Sequence, residues 1–438
     1  MKNSLKTFSL GIQHVLAMYA GAIIVPLIVG NALGLTSEQL TYLVAIDIFM
    51  CGIATFLQVW QSKYFGIGLP VVLGCTFTAV GPMIAIGSEY GLSSIYGAIL
   101  ASGVVVILIA SFFGKLVRFF PPVVTGSVVT IIGITLIPVA MNNMAGGQGS
   151  EDFGSIVNLS LAFGVLLTIV LLYRFFDGFV RSISILLGIV AGTIVAAFLG
   201  MINLEPVREA SWLQIGQPFY FGVPTFEVAP ILTMIIVAIV SMVESTGVYF
   251  ALGDITNRKL SKEDLAKGYR AEGLAYVIGA IFNAFPYTTY SQNVGLIQLS
   301  GVKSRSVIVI TAVMLIGLGL VPKIAAFTTI IPASVLGGAM IAMFGMVVAY
   351  GIKMLSHVEF ASQENLLIIA CSVGLGLGVT VVPDMFANLP ESFKILTNNG
   401  IVAGSLTAII LNIIFNVIPT RQKRSSEKID GVSQQQAS

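Results

Sequence analysis

Charge is what this sequence has least of. Of its 438 residues only 10% are Asp, Glu, Lys or Arg, against about 25% in an ordinary soluble domain. That scarcity excludes a water-soluble globular chain. A net charge of +2 offers no field for a polyanion, so no nucleic-acid partner is expected. Cysteine is nearly as rare. Cys51, Cys75 and Cys371 lie far apart inside apolar segments, with no spacing for a disulfide or a metal, and each reads as a small buried hydrophobe. There are two histidines, His14 and His357. Nothing here clusters His, Cys and carboxylates into a metal or nucleophilic centre, which argues against an enzyme and against a metal or other cofactor.

What is present is hydrocarbon: 56% of residues are hydrophobic and the mean hydropathy is +0.96. Runs of about 20 apolar residues, enough to cross a bilayer, recur along almost the whole chain. The first is too long for a signal peptide and many more follow it. Breaks at charged or turn-rich residues give fourteen segments, at 8–30, 39–60, 67–87, 93–113, 120–142, 157–173, 178–200, 228–252, 271–284, 285–300, 305–321, 326–350, 364–382 and 400–418. The expected class is an all-α polytopic membrane protein. A membrane domain over 1–420 is followed by the one clearly polar stretch, 421–438, a disordered tail on the cytoplasmic side.

The basic residues test that count. With the N-terminus inside, 19 of 22 Lys and Arg fall on the cytoplasmic side, leaving only Arg208, Lys323 and Lys394 outside. One missed span would invert every later loop, so an even number of spans with both termini cytoplasmic fits.

Two regions do not read as ordinary helices. GIGLPVVLGCTFTAVGP at 66–82 and NAFPYTTYSQNVG at 283–295 put proline, glycine and β-branched residues at mid-membrane depth. Pro286 follows Pro70 by 216 residues, which sets Ser291-Gln292-Asn293 against Cys75-Thr76-Phe77. PASVLG at 332–337 follows PPVVTG at 121–126 by 211. Both offsets are near half the chain and seven spans apart. They predict a seven-plus-seven inverted repeat, first half about 8–200 and second about 228–418, as in secondary transporters. Extended backbone in hydrocarbon survives only when buried in protein or lining a cavity. Two short strands, one per repeat, would satisfy part of each other, and the half-helices after them would aim their N-termini at the midplane.

Three acidic residues lie inside spans: Asp47, Glu244 and Glu272. Glu244, in IVAIVSMVESTGVYF, is the most isolated, and an ionisable group there is functional by default. Its structural alternative is a carboxyl bonded to Ser245 or Thr246. Glu272 lies beside Arg270, so pairing competes with a mechanistic role. Asp47 has no obvious partner and reads as structural. His14, in GIQHVLAMYAG, is either a satisfied bundle residue or part of a site.

QNVGLIQLSG at 292–301 resembles the signature of the nucleobase/ascorbate transporter (nucleobase:cation symporter-2) family, with Ser300 where threonine is commoner. The Gln13-His14 pair, Gly74-Cys75-Thr76-Phe77 and Glu244-Ser245 match the family's other marks, and the likeness covers the chain up to the tail. It implies fourteen spans in interleaved core and gate domains, with short antiparallel strands in the third and tenth. It also implies a homodimer in the cytoplasmic membrane and coupling of uptake to protons. Glutamine at the head of the signature implies an oxidised purine, xanthine first, with uric acid or a broader oxopurine range as the alternative.

Carried over by position, the resemblance makes Glu244 and Gln292 hydrogen-bond the purine edge. Phe77 stacks on its face, and Thr76 and Ser291 offer backbone bonds, with Tyr290 a second aromatic candidate. Asn293, His14 and Gln13 support the site, and Glu272 matches an acidic position often required for transport. One departure stands out: Val248, a helical turn after Glu244, replaces the Asp or His of relatives and leaves Glu244 as the proton candidate. An inorganic-anion exchanger on the same fold would favour a basic residue near the half-helix termini. The predicted midplane has none.

Overall fold

The computed structural model describes residues 2–116, 119–386, 388–389 and 399–418. The tail expected at 421–438 lies outside them, as do Arg118 and Lys394.

The first repeat runs α1 (Lys2–Ala32), α2 (Ser37–Val59), β1 (Leu73–Cys75), α3 (Val80–Tyr90), α4 (Leu92–Leu116), α5 (Pro122–Met144), α6 (Ile156–Phe175), α7 (Gly178–Ser182) and α8 (Ser184–Phe198). After a short connecting helix, α9 (Glu205–Glu209), the second runs α10 (Val228–Thr256), α11 (Lys262–Ile281), β2 (Tyr287–Thr289), α12 (Ser291–Ser300), α13 (Arg305–Gly319), α14 (Pro322–Thr329), α15 (Ala333–Leu355), α16 (Gln363–Val381) and α17 (Gly400–Asn412). Nine helices among the described residues are long and apolar enough to span a membrane, and a tenth span is formed if the bent pair α13–α14 is one. α8, α11 and the two strand-helix units account for the other four of the fourteen segments.

Several boundaries differ from the sequence reading, for local reasons. α11 starts at Lys262 rather than near 271, because Ser261 and Asp264 form a capping box that opens the helix in its charged stretch. The break therefore falls after Ile281, where the irregular stretch 283–295 is expected. The span 178–200 is divided into α7 and α8. The span 326–350 is displaced: Pro322 opens a separate helix bent 78° from α13, and α15 starts only after Pro332.

The repeat is visible in the helix starts. α15 begins 211 residues after α5, the offset of the two Pro-x4-Gly motifs. The two helices pack antiparallel through glycines. A Cβ on Gly337 would stand 2.2 Å from Met144 N, and one on Gly351 2.3 Å from Thr130 Oγ1. Lipid is as apolar as a helix surface, so close van der Waals approach, which only small residues allow, holds such pairs together. Gly52 against Ala312 joins α2 to α13 in the same way, and Gly103 against Gly273 joins α4 to α11. Outside these contacts Leu108, Phe112, Ile156, Phe163, Leu167 and Phe198 are exposed, an apolar surface of the kind that lipid covers.

Candidate substrate site

β1 and β2 pair antiparallel, Leu73 opposite Thr289, Gly74 opposite Thr288 and Cys75 opposite Tyr287. Thr76 N donating to Pro286 O (2.9 Å) and Tyr290 N to Val72 O (3.0 Å) extend the ladder at both ends. Two three-residue strands would not hold together alone. Asp47 of α2, fully buried, binds both: it accepts from Cys75 Sγ (2.7 Å), Phe285 N (2.9 Å) and Tyr287 Oη (2.9 Å). No partner is evident along the chain; the fold supplies three. Thr55, two turns along α2, donates to Leu73 O and accepts from Leu73 N (3.0 Å).

The strand register corrects the sequence alignment by two residues. β2 follows β1 by 214 positions, not 216, because Pro286 lies one residue before its strand and Pro70 three. The Arg258 guanidinium binds the Ile67 and Gly68 carbonyls in the longer lead-in.

From this strand pair the half-helices depart. Phe77–Ala79 form one tight turn into α3, with Thr76 Oγ1 accepting from Thr78 N (3.3 Å). Thr76 is buried with its hydroxyl 3.4 Å from Ser241. Phe77 meets Phe344 of α15 edge to face, centroids 5.7 Å apart. α12 begins at Ser291 with no side chain capping its first turn, so its leading N–H groups carry the positive end of the helix dipole uncapped.

A cavity of about 470 Å³ lies against that helix start, within the size range of small-molecule sites. Tyr290, Ser291, Gln292, Gly295 and Leu299 line one wall, Ala17 and Gly21 of α1 another, and Met343, Met346 and Tyr350 of α15 the third. Gln292 makes no hydrogen bond among the described residues, so both ends of its amide are available. Tyr290 lines the cavity while fastening the strands: its hydroxyl donates to Cys75 O (3.0 Å), and its ring fills the space a Cβ on Gly74 would need. Asn293 points away from the cavity and is buried. Its amide nitrogen contacts His14 Nδ1 (3.0 Å) and His14 O (3.1 Å), locking α12 to α1. Gln13, half-buried on α1 next to His14, is not among the cavity-lining residues.

Glu244 stands apart. It faces a narrow space between α10, α5, α15 and α17, among Val124, Val128, Ile132, Val240, Met354 and Ile409. Its carboxyl makes no hydrogen bond among the described residues. The neighbours expected to satisfy it are engaged elsewhere, Ser245 with Thr288 (3.2 Å) and Thr289 (3.3 Å), Thr246 with Met242 O and the Tyr269 hydroxyl. The structure thus gathers Gln292, Ser291 and Tyr290 at one cavity and leaves Glu244, Thr76 and Phe77 outside its lining. Phe77 is the link, since its partner Phe344 adjoins Met343 of the cavity wall.

Glu272 does not pair with Arg270, which binds Tyr64 O and the Ser111 hydroxyl instead. It is buried and accepts from the Tyr249 hydroxyl. Tyr249 in turn accepts from Gln58 Nε2 (2.6 Å), so a hydrogen-bonded line runs from Glu272 through Tyr249 to the end of α2. Tyr249 and Gln58 were not legible as site residues, because nothing local marks a tyrosine or glutamine whose partner is a helix away.

This is the architecture of a membrane carrier: a broken-helix pair meeting at mid-depth, with a ligand-sized cavity at one half-helix terminus. A family model described as "Permease family" matches residues 5–385. The xanthine permease of Bacillus subtilis (strain 168) is 71% identical over 422 residues, covering 96% of each chain. The uric acid permease PucK of the same strain is 65% identical over 425 residues, 97% of this chain and 98% of that one. Among solved structures, the transmembrane domain of the cyanobacterial bicarbonate transporter BicA superposes with a TM-score of 0.64 at 18% identity, over 86% of this chain and 96% of that one, a likeness of fold. The chain belongs to this permease family, the nucleobase/ascorbate transporter family, and is a transporter rather than an enzyme.

Proposed function

We propose that the chain imports xanthine across the cytoplasmic membrane by proton symport, working as an alternating-access carrier. The Gln292 amide beside the uncapped start of α12, on the wall of a ligand-sized cavity, carries the reading. An amide that is donor and acceptor at once matches the alternating C=O and N–H edge of an oxopurine. Two relatives named for xanthine and uric acid, at 71% and 65% identity, support that ligand class.

In this account the strand pair with α1, α3, α10 and α12 forms the fixed side, and the α5–α15 pair forms the moving one. Phe77 and Phe344 meet at the boundary. A purine bound by Gln292 and stacked on Phe77 takes the place of Phe344, and that displacement opens a route to Glu244. Glu244 hydrogen-bonds the ring N–H groups and carries the coupled proton, with Asn293 and His14 holding α12 in place. Both termini face the cytoplasm, and the gate helices join two copies.

Gln292→Ala is expected to lower labelled xanthine uptake by about tenfold or more, the effect of losing a paired amide, with the carrier still at normal levels in the membrane. Uptake equal to wild type would remove Gln292 from the site and the main support for an oxopurine.

A further inference from the structure

The cavity is longer than one purine needs. Along α12 its lining passes from Gln292 through Gly295 to Leu299, and along α15 from Met343 through Met346 to Tyr350. Each is seven residues of one helix face, about 10 Å at 1.5 Å per residue. A bicyclic base held at Gln292 leaves the far end clear. That end is built differently from the rest: Arg181 and Asp177 stand at it together with Tyr173 and Tyr350. Arg181 is the one cation lining the cavity among the described residues. Its guanidinium lies 4.1 Å from the centre of the Tyr173 ring, so stacking holds it in place rather than leaving it to sweep through solvent. Its only carboxylate contact, Asp177 at 3.7 Å, has a side chain 98% exposed, and an ion pair so open to water contributes little and is readily exchanged.

We propose that Arg181, Tyr173 and Tyr350 form a second, weaker purine subsite at the mouth of the cavity, which substrate occupies between Gln292 and the cytoplasm. The inference rests on the proposed function for its ligand and for which side the mouth faces. Arg181 and Lys353, near the mouth, belong to the basic set that marks the cytoplasmic side. The guanidinium fork fits two acceptors on one edge of an oxopurine, and most strongly a purine anion such as urate. The exposed Tyr350 ring, beside the Tyr173 ring that Arg181 covers, suits a flat ring. By leaving Asp177 for the purine, Arg181 gives the substrate a partner as it lets go of Gln292.

The test compares the two faces of the carrier. Full-length protein is assayed in right-side-out and inside-out vesicles with labelled urate and labelled xanthine, at a mildly acidic pH where urate is still an anion and xanthine is neutral. Arg181→Gln is expected to raise KM for urate at the cytoplasmic face by about tenfold, as loss of a charge-assisted hydrogen bond does. The effect on xanthine is smaller, Arg181→Lys recovers part of the loss, and KM at the outer face stays unchanged, which also shows that the variant is folded. KM unchanged at both faces, or raised equally at both, overturns the subsite while leaving the proposed function standing. If the wild-type chain moves neither purine in either vesicle, the function fails and the subsite with it.

Discussion

Replacing Glu244 by glutamine leaves a carrier that equilibrates xanthine but no longer concentrates it. The expectation follows from what surrounds the carboxyl. Valine, isoleucine and methionine side chains line its space, no donor reaches it, and Ser245 and Thr246 are committed elsewhere. A charge there would lack a partner, so the group has no structural task that its ionised form performs. Glutamine preserves shape and hydrogen-bonding capacity and removes only the exchangeable proton. A substrate that binds one protonation state better than the other links the two equilibria, and without that link the internal-to-external ratio of a neutral substrate falls to about one. Labelled xanthine followed to steady state, beside exchange against preloaded unlabelled xanthine, separates the outcomes. Exchange should persist while accumulation is lost. Undiminished accumulation by Glu244→Gln would take the coupling role from this residue.

The second large effect belongs to Asp47. Substitution by alanine strands the Phe285 N–H and the Tyr287 hydroxyl in a fully buried site, and frees Cys75 on the opposite strand. Leaving buried donors without their charged partner costs about 3–5 kcal/mol. The loss should appear as a marked drop in the thermal midpoint of the purified carrier, together with loss of transport, since both half-helices hang from these strands. Asp47→Asn keeps one acceptor oxygen and should fall between. A midpoint for Asp47→Ala equal to wild type would mean that the strands are held by their own ladder.

The sequence carried the spans because hydrocarbon thickness and the basic-residue bias act on composition alone. It carried the broken segments as well, because Pro70, Pro286 and the polar cluster between Tyr287 and Asn293 have no place in an ordinary spanning helix. Partners were another matter. Asp47 meets Cys75 28 residues away and Tyr287 240 residues away, and no periodicity links such positions. Of the two readings left open for Glu272, pairing with Arg270 is absent because neighbours two apart on a helix point in different directions, whereas Tyr249 of α10 faces Glu272 across the packing. The two-residue shift between the strands has the same origin, since the lead-in to β1 is tied to Arg258, far along the chain. Gln292 stood out through its motif, but its separation from Glu244 depends on how α15 lies against α10, and sequence does not encode that locally.

The most direct test of the account is steady-state accumulation of labelled xanthine in cells that lack their own purine carriers and express this chain, with and without a protonophore and with excess unlabelled bases. The account predicts accumulation above the external level that collapses with the protonophore. Unlabelled xanthine and urate should compete for it, and uracil should not. Accumulation indifferent to the protonophore, or blocked by uracil, would contradict it.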